Sequence, residues 1–216
     1  MERVQIAGLK LGEKISFGRT NGGPLVWRIA EQNHKGFPVD AVTIVTDRTI
    51  GNITFAPANP LDMDHDRRLY GSNRYKDSYV RHYMNSDEFI KAVFSADEAE
   101  AIIATELKIK QPGIDGGGID VIRDRLFLLS ASEAGHTEED EEGSILELFK
   151  DSENLRALDI DGDPDWWLLR TPYASNSCHV RLVYTSGTLL DNDAYYGYFG
   201  LRPACNLPSG LLVSRV

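Results

Sequence analysis

Cys178 and His179 are adjacent and are the residue types of a thiol–imidazole catalytic pair. On a strand, neighbouring side chains point to opposite faces, so the two are not expected to act together. Asp159, Asp161, Asp163 and Asp165 alternate along residues 159–165, as ligands do in a calcium loop. An EF-hand counted from Asp159 needs glycine at its sixth position and a bidentate glutamate at its twelfth, where this chain has Pro164 and Arg170. A polar turn is the expectation there, with a calcium site of another kind as the alternative. Asp62-Met63-Asp64-His65-Asp66 also gathers metal-ligand types, but consecutive side chains rarely converge on one ion.

The remaining signals for chemistry are weaker. His34, His65, His82, His136 and His179 are scattered, and the chain lacks the phosphate-cradling Gly-Lys-Ser/Thr loop, the His-Glu-x-x-His helix and the Gly-x-Ser-x-Gly elbow. Cys178 and Cys205 are too few for a disulfide framework or a structural zinc site. Two buried thiols are the first reading, and a single bridge is the other. No catalytic residue, metal ligand or cofactor is therefore expected.

Chemistry of recognition is better represented. Residues 168–216 contain no Lys, Glu, Gln, Met or Trp, whereas the preceding residues hold all 31 copies of those five types. At ordinary residue usage that absence is too long for chance. Tyr173 to Phe199 carries five of the nine tyrosines, interleaved with Ser, Asn, Asp and Gly. Tyr supplies rigid amphipathic contact area and short polar residues supply adaptable hydrogen bonds, which is how binding loops are composed. The candidate ligand-binding residues are Tyr173, Ser175, Asn176, His179, Arg181, Tyr184, Asp191, Asn192, Asp193, Tyr195, Tyr196 and Tyr198. An ordinary Gly/Asn-rich hairpin with half-buried tyrosines is the competing reading.

The elements that must position this segment are legible in outline. Residues 13–17, 25–30 and 41–46 are β-branched or aromatic runs between turn residues and predict strands. Ser78 before residues 79–84, and the capping box from Ser95 to Glu98, predict helices in the middle of the chain. Gly113 to Gly118, with four glycines in six residues, reads as a flexible connection. Residues 125–130 predict a buried strand, and the acidic run Glu138–Glu142 a solvated loop or helix start. Strands return at 166–170, 179–184 and 201–205.

This order predicts an α+β fold in one domain over residues 1–216, with an antiparallel sheet in which the two ends of the chain meet. Hydrophobic content of 42% and charged content of 26% suit a globular protein, and a net charge of -10 argues against nucleic acid or an anionic membrane surface as partner. No run is long enough to span a bilayer, and the first residues lack the layout of a secretory signal. A cytoplasmic location is expected, or export by a non-classical route such as within a phage particle or to the cell surface.

The landmarks also resemble a known family. They are residues 11–18, Val26-Trp27-Arg28, Asn33-His34-Lys35-Gly36-Phe37-Pro38, 42–46, Gly71-Ser72-Asn73-Arg74-Tyr75, Ser78-Tyr79-Val80-Arg81, 127–130, Trp166 to Pro172, and Gly200-Leu201-Arg202-Pro203-Ala204. In that order they resemble an uncharacterised domain family of bacteria and phages with a C-type-lectin-like fold, related to formylglycine-generating enzymes. The resemblance implies small antiparallel sheets and two or more helices. It makes Trp166, Trp167, Arg170, Arg202 and Pro203 scaffold, and places residues 173–199 on the exposed ligand face. An extra leucine in Trp167-Leu168-Leu169-Arg170 departs from the family's pattern and leaves that strand's register open. The enzyme relatives work through metal-binding cysteines, of which no matched pair is evident, so their activity is not carried over.

The segment further resembles the variable proteins of diversity-generating retroelements. Their diversification rewrites adenines, chiefly in AAY codons, and a codon ending in a pyrimidine encodes none of the five missing types. On that resemblance His179, Arg181, Tyr184, Asp191, Asn192, Tyr195, Tyr196 and Tyr198 are candidate variable positions. The implied role is a non-catalytic module binding a protein or glycan receptor, plausible on a phage tail, with oligomers allowed. The alternatives are a calcium-dependent lectin and an enzyme of the formylglycine-generating type.

Overall fold

In the computed structural model, which describes residues 3–136 and 141–216, the β-branched runs of the sequence become strands. The first are β1 (Arg3–Gln5), β2 (Lys14–Thr20), β3 (Gly23–Gln32), β4 (Ala41–Thr46) and β5 (Asn52–Ile53). Four short helices follow: α1 (His65–Tyr70), α2 (Tyr79–Met84), α3 (Asp87–Val93) and α4 (Ala96–Ala101). Next come β6 (Thr105–Lys110), β7 (Ile119–Asp124), β8 (Ala157–Leu158) and β9 (Pro164–Asp165). The chain closes with β10 (Trp167–Pro172), β11 (His179–Val183), β12 (Leu189–Asp193), β13 (Phe199–Gly200), β14 (Ala204–Pro208) and β15 (Leu212–Arg215).

The fold is mixed α+β. A six-stranded sheet has the order β1-β15-β2-β3-β4-β14, and a five-stranded sheet the order β12-β11-β10-β13-β5. In the first, β1 pairs antiparallel with β15, so the two ends of the chain do meet. Every residue of β4 and of β10 is buried, because each strand has neighbours on both sides and is covered on both faces. Trp27, Phe55, Phe127, Trp167 and Phe199 are among the fully buried side chains between the elements. Each such burial contributes about 1.5–3 kcal/mol.

The helix starts follow from local chemistry. Ser78 accepts from the Arg81 amide, and Ser95 and Glu98 form the reciprocal capping box. Glu98 also accepts from the Gly18 amide at 2.8 Å, which ties α4 to β2.

Several expectations need correction. Of residues 125–130 all but Arg125 are buried, but they form no ladder; among them only Phe127 bridges Ala204. Of the expected strand 201–205, regular pairing begins only at Ala204, three residues late, after Arg202 has turned its guanidinium inward. The glycine-rich run 113–118 joins the β6–β7 hairpin and is anchored, since Asp115 binds both Arg67 and Arg74. Of the acidic run, residues 138–140 lie outside the described residues. Glu142 is buried rather than solvated: it accepts from the Thr171 hydroxyl and, at 3.0 Å, from the Lys110 amide.

That glutamate belongs to a buried charged network. Arg170, fully enclosed, donates twice to Glu133 at 2.7 Å and once each to the Leu128 and Glu142 carbonyls. These hydrogen bonds offset most of the cost of enclosing two carboxylates and a guanidinium in a dry interior, although the Arg170 Nε has none and lies 3.8 Å from a Glu142 oxygen. The register of this strand shifts between Leu168 and Pro172, where four steps along β10 stand against two along β11, an irregularity of the bulge type.

Candidate functional site

Residues 173–199 form a loop, the β11–β12 hairpin and a return strand, and the chain beneath them holds the loop in place. Asn73, fully buried, donates its amide to the Asn176 and His179 carbonyls, both at 2.9 Å. Arg67 donates to the Ser177 carbonyl and also reaches Asp115. Hydrogen bonds from Arg74, joined by Arg67, hold the Asp115 carboxyl down to about 2. Gly71 has φ of +78°, and a Cβ there would lie 2.1 Å from the Ala56 carbonyl oxygen. Only glycine therefore lets this backbone pass against Ala56 and Tyr195.

Several sequence candidates serve the loop itself. The Asn176 side chain accepts from the amides of Cys178 and His179 at 3.2 and 2.7 Å, an Asx turn. Ser175 is exposed at the turn. Asp64 caps α1 and accepts from the Ser177 hydroxyl at 2.6 Å, while Asp62 accepts from the Asp64 amide. The run 62–66 is thus spent on a turn and a cap. In the other acidic run, one Asp159 oxygen accepts from the amides of Asp161, Gly162 and Asp163, each at 2.9 Å, as a polar turn requires.

The hairpin has two unlike sides. Register pairs His179 with Asp193 and Arg181 with Asp191, so these four share one side, which is partly open to solvent. His179 Nδ1 lies 2.8 Å from Asp191, and its Nε2 lies 3.1 Å from Asp193. The Arg181 guanidinium sits 4.8 Å over the Tyr173 ring. Cys178, which sequence reasoning kept apart from His179, has its Sγ 3.7 Å from the same Asp193 oxygen. Strand alternation does not separate the two residues, because Cys178 lies in the bend just before β11 begins. Burial, reinforced by Asp193 and Asp66, pushes the Cys178 thiol up to about 12. Neither cysteine is bridged.

Alternation sends Asn192 to the other side, where it hydrogen-bonds Tyr198. An aromatic row runs along this side. Successive ring centroids from Tyr184 to Trp166, Tyr198, Tyr196, Tyr195 and Tyr70 lie 5.8, 5.5, 4.9, 4.3 and 5.9 Å apart. Tyr184 and Tyr198 are 40% and 42% exposed, whereas Tyr196 and Trp166 rest against the core. A hydrogen bond with Tyr196 helps push the Tyr195 hydroxyl up to about 12. The twelve candidates are therefore brought into one region, where Ser175 and Asn176 serve the loop and the other ten divide between a charged side, with Tyr173, and an aromatic side.

Sequence reasoning missed Tyr70 and assigned Trp166 to the scaffold alone. Trp166 does anchor the strand, donating its indole N–H to the Tyr198 carbonyl at 3.2 Å, but its ring also stacks in the row. No local signal marks Tyr70, which arrives from α1 through the Tyr195 amide bond to its carbonyl. Trp167, Arg170, Arg202 and Pro203 are buried, as a scaffold requires.

No curated protein and no solved structure matches the chain. A family model does match, over residues 41–209, a span that runs from β4 to the end of β14 and holds both sides of the hairpin. On that match the chain belongs to the family described as a domain of unknown function, DUF6273.

Proposed function

We propose that this chain is a non-catalytic binding module of C-type-lectin-like fold that presents residues 173–199 to a protein or glycan receptor on a phage tail or cell surface. The observation that carries this reading is the aromatic row from Tyr184 to Tyr70, part exposed and part seated on the core. Large rings held in place by packing give contact area at low entropic cost, and such residues dominate binding energy at interfaces. Asn192 joins the row by its hydrogen bond to Tyr198, and the hairpin's Asp, His and Arg side chains offer further hydrogen-bonding groups on its opposite side. No helix among the described residues is long and apolar enough to cross a membrane, which suits a surface held by protein contacts.

The five missing residue types favour diversification of this surface by adenine rewriting. A near-copy of the coding segment for residues 173–199, beside a reverse transcriptase gene, is the observation expected if so. Exposed stacked rings also suit the faces of sugars, so a glycan is one of the two receptor classes. A calcium-dependent lectin site at residues 159–165 draws no support, because one Asp159 oxygen is already committed to three amides.

The binding test uses the full chain and a variant carrying Tyr195→Ala and Tyr198→Ala. Both are screened against a glycan array and a displayed random-peptide library. Ligands selected on the parent chain should compete with one another and lose binding to the variant, while its Tm stays within a few degrees. Ligands that bind both proteins equally would refute the assignment.

A further inference from the structure

We infer that Cys178, His179 and Asp193 form a binding site for a divalent transition-metal ion of the zinc type. The thiol sulfur, an imidazole nitrogen and a carboxylate oxygen of these residues all lie within 4.8 Å of one another. Around a tetrahedral zinc ion, with bonds of about 2.0–2.3 Å, neighbouring ligand atoms are about 3.3–3.7 Å apart. The Asp193 oxygen is 3.1 Å from His179 Nε2 and 3.7 Å from Cys178 Sγ, so two of the three edges nearly have this length already.

Hydrogen-bond accounting leads to the same ion. A neutral imidazole has one N–H and one lone pair. His179 faces a carboxylate at each nitrogen, Asp191 at Nδ1 and Asp193 at Nε2. If Nδ1–H donates to Asp191, the Nε2 lone pair points at a carboxylate oxygen, and either a second proton or a metal cation between them removes the repulsion. A carboxylate holding the far nitrogen of a ligating histidine is the usual support of such sites. Asp193, Asp66 and Asp64 also place negative potential around Cys178, which favours a cation there.

The donor set selects the metal class. Thiolate and imidazole suit zinc or cobalt, whereas calcium and magnesium take oxygen ligands. Binding requires the thiol to lose its proton to solvent as the Cys178 sulfur–metal bond forms. His179 and Asp193 retain 33% and 18% exposure, so solvent reaches the site and water can supply the fourth ligand. The inference does not depend on what the tyrosines bind, since the ligands lie on the charged side of the hairpin.

The test uses the full chain with any affinity tag removed, stripped with chelator and then dialysed against zinc or cobalt. One zinc per chain is expected, and cobalt should give an intense sulfur-to-metal charge-transfer band in the near ultraviolet. Cys178→Ser should abolish that band, and Asp191→Asn should keep it while weakening zinc binding by about 10–100-fold. Near-ultraviolet circular dichroism checks that each variant folds. Failure of the parent chain to retain zinc, or cobalt bound without the thiolate band, overturns the inference, as does a band that persists in Cys178→Ser. None of these readouts involves a receptor, so they fail separately from the proposed function.

Discussion

Trp166 and Trp167 are neighbours in the chain and belong to different regions of the molecule. Trp167 lies in a buried wall with Arg202 4.8 Å over its ring and Arg170, centre of the network with Glu133 and Glu142, three residues along the same strand. Trp166 lies in the surface row with Tyr184 and Tyr198. Both regions are made of aromatic and charged residues, so composition does not distinguish them. Desolvation does: inside the wall an unpaired polar group is costly and most are hydrogen-bonded, whereas in the row and on the hairpin's charged side solvent reaches the groups and a ligand can too.

That contrast sets an order of effects. Arg170→Ala should cost the most, about 3–5 kcal/mol, because it leaves Glu133 and Glu142 buried without their cation. Denaturant titration measures it, and a loss below about 1 kcal/mol would mean the wall is wetter than the structure shows. Trp167→Ala should follow at about 3–5 kcal/mol, against about 1 kcal/mol for Trp166→Ala. Equal losses would erase the distinction between the regions.

Within the row, Tyr198→Ala should change stability by no more than about 0.5 kcal/mol, and Tyr196→Ala by more, because Tyr196 packs on the core. The reverse order in thermal melts would place the core contact at the wrong tyrosine. The smallest effect is a pH dependence of the loop's support. The folded Asp115 carboxyl titrates at about 2, below its usual 3.8, so its contribution is fully present above about 3.8 and is lost as pH falls toward 2. Amides of residues 173–178 should then exchange faster, relative to intrinsic rates, near the lower pH. Unchanged protection would show that the loop does not depend on the Asp115 ion pairs.

What was legible in the sequence was whatever depends on near neighbours. Ser78 and Ser95 mark their helices because a cap needs only a hydroxyl and an amide three residues on. β4 announces itself by six residues of strand type between turns. The Tyr/Asn/Asp composition of residues 173–199 marked the stretch whose side chains gather along the β11–β12 hairpin. The β6–β7 hairpin and the two-residue strands were hidden, since short pairings depend on the partner more than on the segment.

Sequence alone thus determined the α+β class, the strands β2, β3, β4, β10 and β11, the starts of α2 and α4, and the segment rich in Tyr, Asn and Asp. Tertiary structure alone decided which of two adjacent tryptophans is core, that Glu142 is buried under Arg170, and that Tyr70 extends a row begun more than a hundred residues later. It also brought Cys178 and His179 together on Asp193 by ending the bend one residue before the strand starts. Contacts between residues far apart in the chain are made by the packing of whole elements, and no local pattern encodes their distances.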